Sequence, residues 1–143
     1  VTQSHLIRKA TPKDFPLIID LYKKGLTELG AEYTESLVVR KVLTSYELAP
    51  VFLIGDYGMA GFTTVTTSHD GKPRLADYMF YVEPEHRNIK TLGKLVEAAK
   101  SFAKEHNLPL RVEFVANNDE ELKKRVLKMH GFEVVSIVGE YHG

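Results

Sequence analysis

The chain contains no cysteine. That excludes a disulfide framework, a thiolate nucleophile and any metal site built on sulfur. It also has no surplus of either charge: 19 Lys and Arg stand against 19 Asp and Glu. Non-specific coating of nucleic acid needs an excess of positive charge, so no nucleic-acid partner is expected. No apolar run approaches the roughly 20 residues of a membrane-spanning helix. The first residues show no signal-peptide pattern, and a soluble, cytoplasmic protein is the expectation. Six histidines stand at positions 5, 69, 86, 106, 130 and 142. None has a partner four residues away, so no metal is expected. Internal repeats, low-complexity segments and long linkers are absent as well. What is present is enough for a core: 43% of the 143 residues are hydrophobic. The length suits one domain over residues 1–143.

The stretch Tyr81-Val-Glu-Pro-Glu-His-Arg-Asn-Ile-Lys-Thr-Leu-Gly-Lys-Leu-Val96 organises the rest. It reads as a strand end, a short loop and the start of an amphipathic helix. The first backbone N–H groups of a helix lack internal partners and carry partial positive charge, which makes such a junction an anion site. Arg87, Lys90 and Lys94 add full charges. The alternative is a solvated basic patch on a surface helix.

Around this stretch the elements follow in order. His5–Lys9 predicts a strand. Thr11-Pro-Lys-Asp14 opens a helix whose apolar face carries Phe15, Ile18, Ile19, Tyr22, Leu26 and Leu29. A second helix is expected over 34–48. Strands over 50–54, 60–67 and 75–82, separated by glycine turns, make an antiparallel meander. A helix over 91–106 carries Leu92, Leu95, Val96, Ala99, Phe102 and Ala103 on one face. A strand over 110–116 follows. Then comes a helix with Leu122, Val126 and Met129 on one face, and a last strand over 132–141. Strands joined by a crossover helix are parallel. The expected fold is therefore mixed α/β, order β-α-α-β-β-β-α-β-α-β, with six to seven mostly antiparallel strands and four helices.

This layout resembles the GCN5-related N-acetyltransferase (GNAT) superfamily over nearly the whole length. Tyr81-Val-x-Pro-x-x-Arg87 followed by Leu95 is similar to its cofactor motif. Leu110–Ala116 with Asn117-Asn118 resembles its fifth strand and the turn after it, and Met129-His-Gly-Phe132 its closing Gly-Phe. The resemblance implies acetyl-CoA as co-substrate and a primary amine, on a small molecule or a protein, as acceptor. It implies a pantetheine arm along Phe80, Tyr81 and Val82, touched by Asn118. It implies a pyrophosphate on the N–H groups of Asn88, Ile89, Lys90, Thr91, Leu92 and Gly93, flanked by Arg87 and Lys90, with Lys94 nearby. The amine would attack the thioester directly. Asp77 is the base the resemblance suggests, against an ordinary strand residue. By strand parity Glu113 either serves as a base facing the acceptor cleft or pairs with a neighbouring lysine on a half-exposed face. Tyr141 or His142 stands where a proton donor could reach, against a frayed terminus. Two departures are visible. The small positions of the family loop hold Lys90 and Leu92, with Gly93 one residue late. The position of the family's usual acidic tyrosine holds Leu127. They favour the alternative of a GNAT-fold protein that does not catalyse and serves as a binding, regulatory or structural module, of the kind found among divergent and phage-encoded members. The last strand, apolar and at an edge, invites pairing into a homodimer.

Overall fold

The structure, a computed structural model, describes residues 6–67, 69–114, 119–133 and 141. Along these the elements run β1 (Ile7–Lys9), α1 (Phe15–Glu28), α2 (Glu35–Leu48), β2 (Val51–Ile54), β3 (Gly58–Thr66), β4 (Pro73–Val82), α3 (Ile89–Glu105), β5 (Leu110–Arg111) and α4 (Glu120–Met129). Among the described residues they make one five-stranded sheet in the order β1-β2-β3-β4-β5. β1 to β4 pair antiparallel, and β4 pairs β5 parallel across the α3 crossover. The expected meander and β-α-β unit are both present. The last expected strand, over 132–141, falls mostly outside the described residues. None of the described helices is long and apolar enough to cross a membrane.

Alternation along the strands sends side chains to two faces. Phe52, Ile54, Ala60, Phe62, Leu75, Phe80 and Val82 pack with the α3 stripe of Leu92, Leu95, Val96, Ala99 and Ala103 and with Val126 of α4. Val51, Leu53, Met59, Met79 and Tyr81 pack with Ile18 and Leu21 of α1 and Val42 of α2. Helices thus cover both faces of the sheet. In α4 the buried positions are Lys123 and Val126, while Met129 is 65% exposed. The expected Leu122–Val126–Met129 face is rotated towards Lys123.

One irregularity shapes the centre. The β3–β4 register passes from Gly61 opposite Met79 to Phe62 opposite Asp77. Tyr78 is therefore an extra residue on β4, a β-bulge that bends the strand and re-aims its side chains. Tyr78 and Met79 both lie with the α1–α2 layer as a result. Gly61 makes the bulge possible, because a Cβ there would lie 2.5 Å from the Tyr78 ring. Gly61→Ala should cost about 1–3 kcal/mol, the usual penalty for overpacking a tight core. Chemical denaturation checks this, and an unchanged midpoint would show that the ring can move aside.

Candidate functional site

Among the described residues β4 and β5 form a ladder at two positions, Leu75 with Leu110 and Ala76 with Arg111. At the next residue the ladder gives way to a side chain. The Asp77 carboxylate accepts the Glu113 N–H at 2.8 Å and the Phe114 N–H at 3.4 Å. Phe114 takes a left-handed φ of 47°, and its ring meets Phe80 edge-on at 4.3 Å. β4 runs on through Tyr81 and Val82, and among the described residues its ladder with β5 ends beside Asp77, which opens a fork in the described sheet. The expected strand over 110–116 is thus cut short at Arg111; residues 115 and 116 lie outside the described set. The cause is Asp77, which takes the N–H groups that a longer ladder would have used.

Burial drives the Asp77 carboxyl up to about 6 against the pull of the two N–H donors. That places its charge change close to neutrality, where a general base works best. Glu113 is different: its carboxylate is half exposed and meets Arg111 at 3.4 Å. It is the Glu113 backbone, not its side chain, that joins the fork. Tyr141 is 83% exposed, with no hydrogen bond or ion pair among the described residues.

The turn between β4 and α3 is pinned from below. The Glu83 N–H donates to the Tyr57 carbonyl at 2.8 Å, and His86 stacks on the buried Tyr57 ring at 3.9 Å. Asn88 then caps α3, its Oδ1 accepting the Thr91 N–H at 2.9 Å. The cap starts the helix at Ile89, two residues before the expected start. It also uses donors: Thr91 is bound by the cap side chain and the Leu92 N–H by the Asn88 carbonyl at 3.0 Å. The expected row of N–H groups from Asn88 to Gly93 therefore narrows to the first turn, at Ile89 and Lys90, where helix geometry leaves donors without internal partners.

The two departures in the loop have structural reasons. Leu92 is 1% exposed and belongs to the core against β4. Gly93 faces α4, and a Cβ there would lie 2.8 Å from the His130 Nε2. Its smallness serves the packing of α3 against the end of α4. Lys90 is exposed on the helix surface, and Lys94 is half-buried one turn on. Leu127 packs against the α3–α4 core. Asn118 lies outside the described residues.

Arg87 does not project into solvent. Its side chain is 4% exposed. Nε and Nη2 donate to the Val82 carbonyl at 3.0 and 2.7 Å. Nη2 also reaches Glu28 of α1 at 2.8 Å, and Nη1 reaches Asp119 at 2.7 Å. Lys123, 7% exposed, lies beside them. Glu28, Asp119 and Lys123 escape sequence reasoning because the first two stand 59 and 32 residues from Arg87. Lys123 left one trace: it lies three residues from Val126, on the face that α4 buries.

On the other side of the bulge, Tyr22, Leu26, Glu32, Tyr33 and Leu37 line an open groove of about 510 Å³. It borders the bulge, since Tyr22 meets the Tyr78 ring edge-on at 5.3 Å.

No protein-family model matches the chain, and no curated protein matches it. Solved structures do. A probable acetyltransferase superposes with a TM-score of 0.74 at 20% identity, covering 94% of each chain. A predicted acetyltransferase from Clostridium acetobutylicum, solved with acetyl-CoA, gives 0.74 at 20% identity over 95% of this chain and 94% of its own. The aminoglycoside N-acetyltransferase AAC(6')-Iy, in complex with CoA, gives 0.72 at 14% identity over 100% and 97%. The chain has the GNAT acetyltransferase fold. Within that fold the forked edge at Asp77, the capped start of α3 and the groove beside Tyr78 all lie on the β4 side of the molecule, joined by one strand.

Proposed function

We propose that this protein is an acetyl-CoA-dependent N-acetyltransferase. The observation that carries the proposal is the fork: among the described residues β4 continues past Asp77 without a β5 ladder, and its end leads through one short turn to the N-terminus of α3. An unladdered strand edge offers backbone groups to an extended amide-bearing arm, and a helix start offers N–H groups and positive potential to a phosphate. The residues suit the group. Phe80 to Val82 would line the arm, and the Ile89 and Lys90 N–H groups would face the diphosphate. Acetyl-CoA supplies the acetyl group as an activated thioester.

The chain's own contribution is positioning and charge control. The groove of Tyr22, Glu32 and Tyr33 holds the acceptor amine against the bulge. Asp77, or a water held by it, removes the amine proton. A β4 N–H near the fork, that of Val82, stabilises the developing oxyanion. Leu127 provides no acid, so the thiolate leaves unprotonated or takes its proton from solvent.

A second reading is a GNAT-fold module that does not transfer acyl groups. It is favoured by Arg87, which fills the Val82 carbonyl, and by Leu127. Titration of the protein with acetyl-CoA tests the first reading. Saturable binding should raise the melting temperature by mass action, about 2.7 kcal/mol at a hundredfold excess over Kd. No saturation at millimolar ligand would exclude it. If binding occurs, thiol release with a panel of amines separates transfer from binding alone.

A further inference from the structure

The groove between α1 and the start of α2 has an uneven lining. Among the described residues, Tyr22, Leu26, Tyr33, Leu37 and Val38 give it apolar and aromatic walls, and Glu32 is the one charge. Leu37 is 55% exposed and Tyr33 44%. Large apolar side chains left in water around one concavity mark a place for an apolar partner. The space, about 510 Å³, suits a small molecule.

Glu32 differs from the carboxylates on either side of it. Glu28 is paired with Arg87 and Glu35 with Lys23. Glu32 has no hydrogen bond or ion pair among the described residues. A carboxylate without a partner, set into an apolar wall, attracts a cation to that wall. The bulge end of the groove carries the opposite sign. The Lys41 ammonium lies over the Tyr78 ring, 5.6 Å from its centroid, and Tyr78 in turn meets Tyr22. Lys23, the other cation near Tyr33, is already held by Glu35. A ligand with several ammonium groups would find one carboxylate to meet and one lysine to avoid. A ligand rich in hydroxyls would lose hydration against Leu26, Leu37 and Val38 without gaining partners.

We infer that the acceptor is a primary amine carrying a single positive charge on an aromatic or branched apolar body, rather than a polyhydroxylated polycation. Its role as acceptor rests on the acetyltransferase reading; its chemistry rests on the groove. The body lies against Tyr22, Tyr33 and Leu37, and Glu32 draws in the ammonium form. Lys41 favours the neutral amine beside the bulge, where the nitrogen must have a free lone pair. In transfer that nitrogen bonds to the acetyl carbon as the C–S bond breaks. The amine proton passes to Asp77 or its water, and the sulfur leaves as thiolate.

The test is calorimetric titration of the full chain with phenethylamine, phenethyl alcohol, ethylamine and kanamycin, followed by kcat/KM for the three amines with acetyl-CoA. Phenethylamine should bind at least about tenfold more tightly than ethylamine, which has no ring to bury. It should also bind more tightly than kanamycin. Glu32→Gln should weaken phenethylamine about threefold and leave phenethyl alcohol unchanged, because an exposed carboxylate serves only the charge. Tyr33→Ala should weaken both about fivefold, because the ring serves the body. Both side chains are exposed, so neither change threatens the fold. Ethylamine or kanamycin binding as tightly as phenethylamine, equal losses of amine and alcohol in Glu32→Gln, full affinity in Tyr33→Ala, or no phenethylamine binding overturns the inference. Faster transfer to kanamycin or ethylamine than to phenethylamine would leave the acetyltransferase reading and remove this specificity. Selective phenethylamine binding, with neither acetyl-CoA binding nor thiol release, would keep the groove's ligand class and remove that reading.

Discussion

Arg87→Ala is expected to destabilise the protein by about 2–4 kcal/mol, somewhat below the full cost of breaking a buried ion pair because its partners are partly solvated. For a chain of this size that lowers the melting temperature by roughly 10 °C. The guanidinium joins three parts of the fold: the end of β4 through the Val82 carbonyl, α1 through Glu28 and α4 through Asp119. Alanine leaves a carbonyl and two carboxylates without their donor. Lysine should recover less than half of the loss, since one ammonium cannot serve a carbonyl and two carboxylates from a single fork. Glu28→Gln in the Arg87→Ala background should cost less than the two changes summed, because the glutamate is already stranded. A melting temperature within a degree or two of wild type would show that these bonds contribute little.

The second large effect belongs to Asp77. Asp77→Ala removes the acceptor for the Glu113 and Phe114 N–H groups and should cost about 2–3 kcal/mol. Asparagine is more informative. The folded carboxyl titrates at about 6 against 3.8 for the free side chain. Between those values the folded state binds the proton that the unfolded state has lost. Stability from this group is therefore complete in acid and falls as pH rises, by of order 3 kcal/mol, levelling off once the folded carboxyl is ionised. Asp77→Asn removes the dependence, so its stability relative to wild type should climb from about pH 4 to about pH 7. Asp14 acts in a separate window: its bond to Arg8 holds it at about 2, so its contribution is lost only in stronger acid. Urea midpoints of both proteins across the range measure this, and parallel curves would sink it. Under the acetyltransferase reading, the acetylation rate should rise through the same apparent pKa.

Much of the fold was legible because it is local. The α1 and α3 stripes, the Asp70-Gly71 turn and the alternation of β2 follow from periodicity and backbone preference over a few residues. The element order then left few topologies for a strand–helix–strand unit. Element ends were less legible. α3 begins at Ile89 because Asn88 caps it, and β5 stops at Arg111 because Asp77 reaches across from another strand. Asp77 was picked out, yet its work on two backbone N–H groups was invisible, since nothing near position 77 marks position 113. Glu113 illustrates the converse: the expected mid-strand position lies beyond the end of β5, and its carboxylate pairs with Arg111 rather than with a lysine.

Taken alone, the sequence determined the mixed α/β layout, the two-faced burial of the sheet and the basic turn before α3. Each depends on residues within a turn or two of one another. Only the tertiary structure decided what Arg87 does. A sequence shows a cation beside a helix start, and such a cation can face either solvent or protein. Glu28 and Asp119 settle that question, and they come to it only after α1 and α4 have packed against the fork. Charge is local to a residue, but its partner is set by long-range packing. The buried Lys123 became visible only for the same reason.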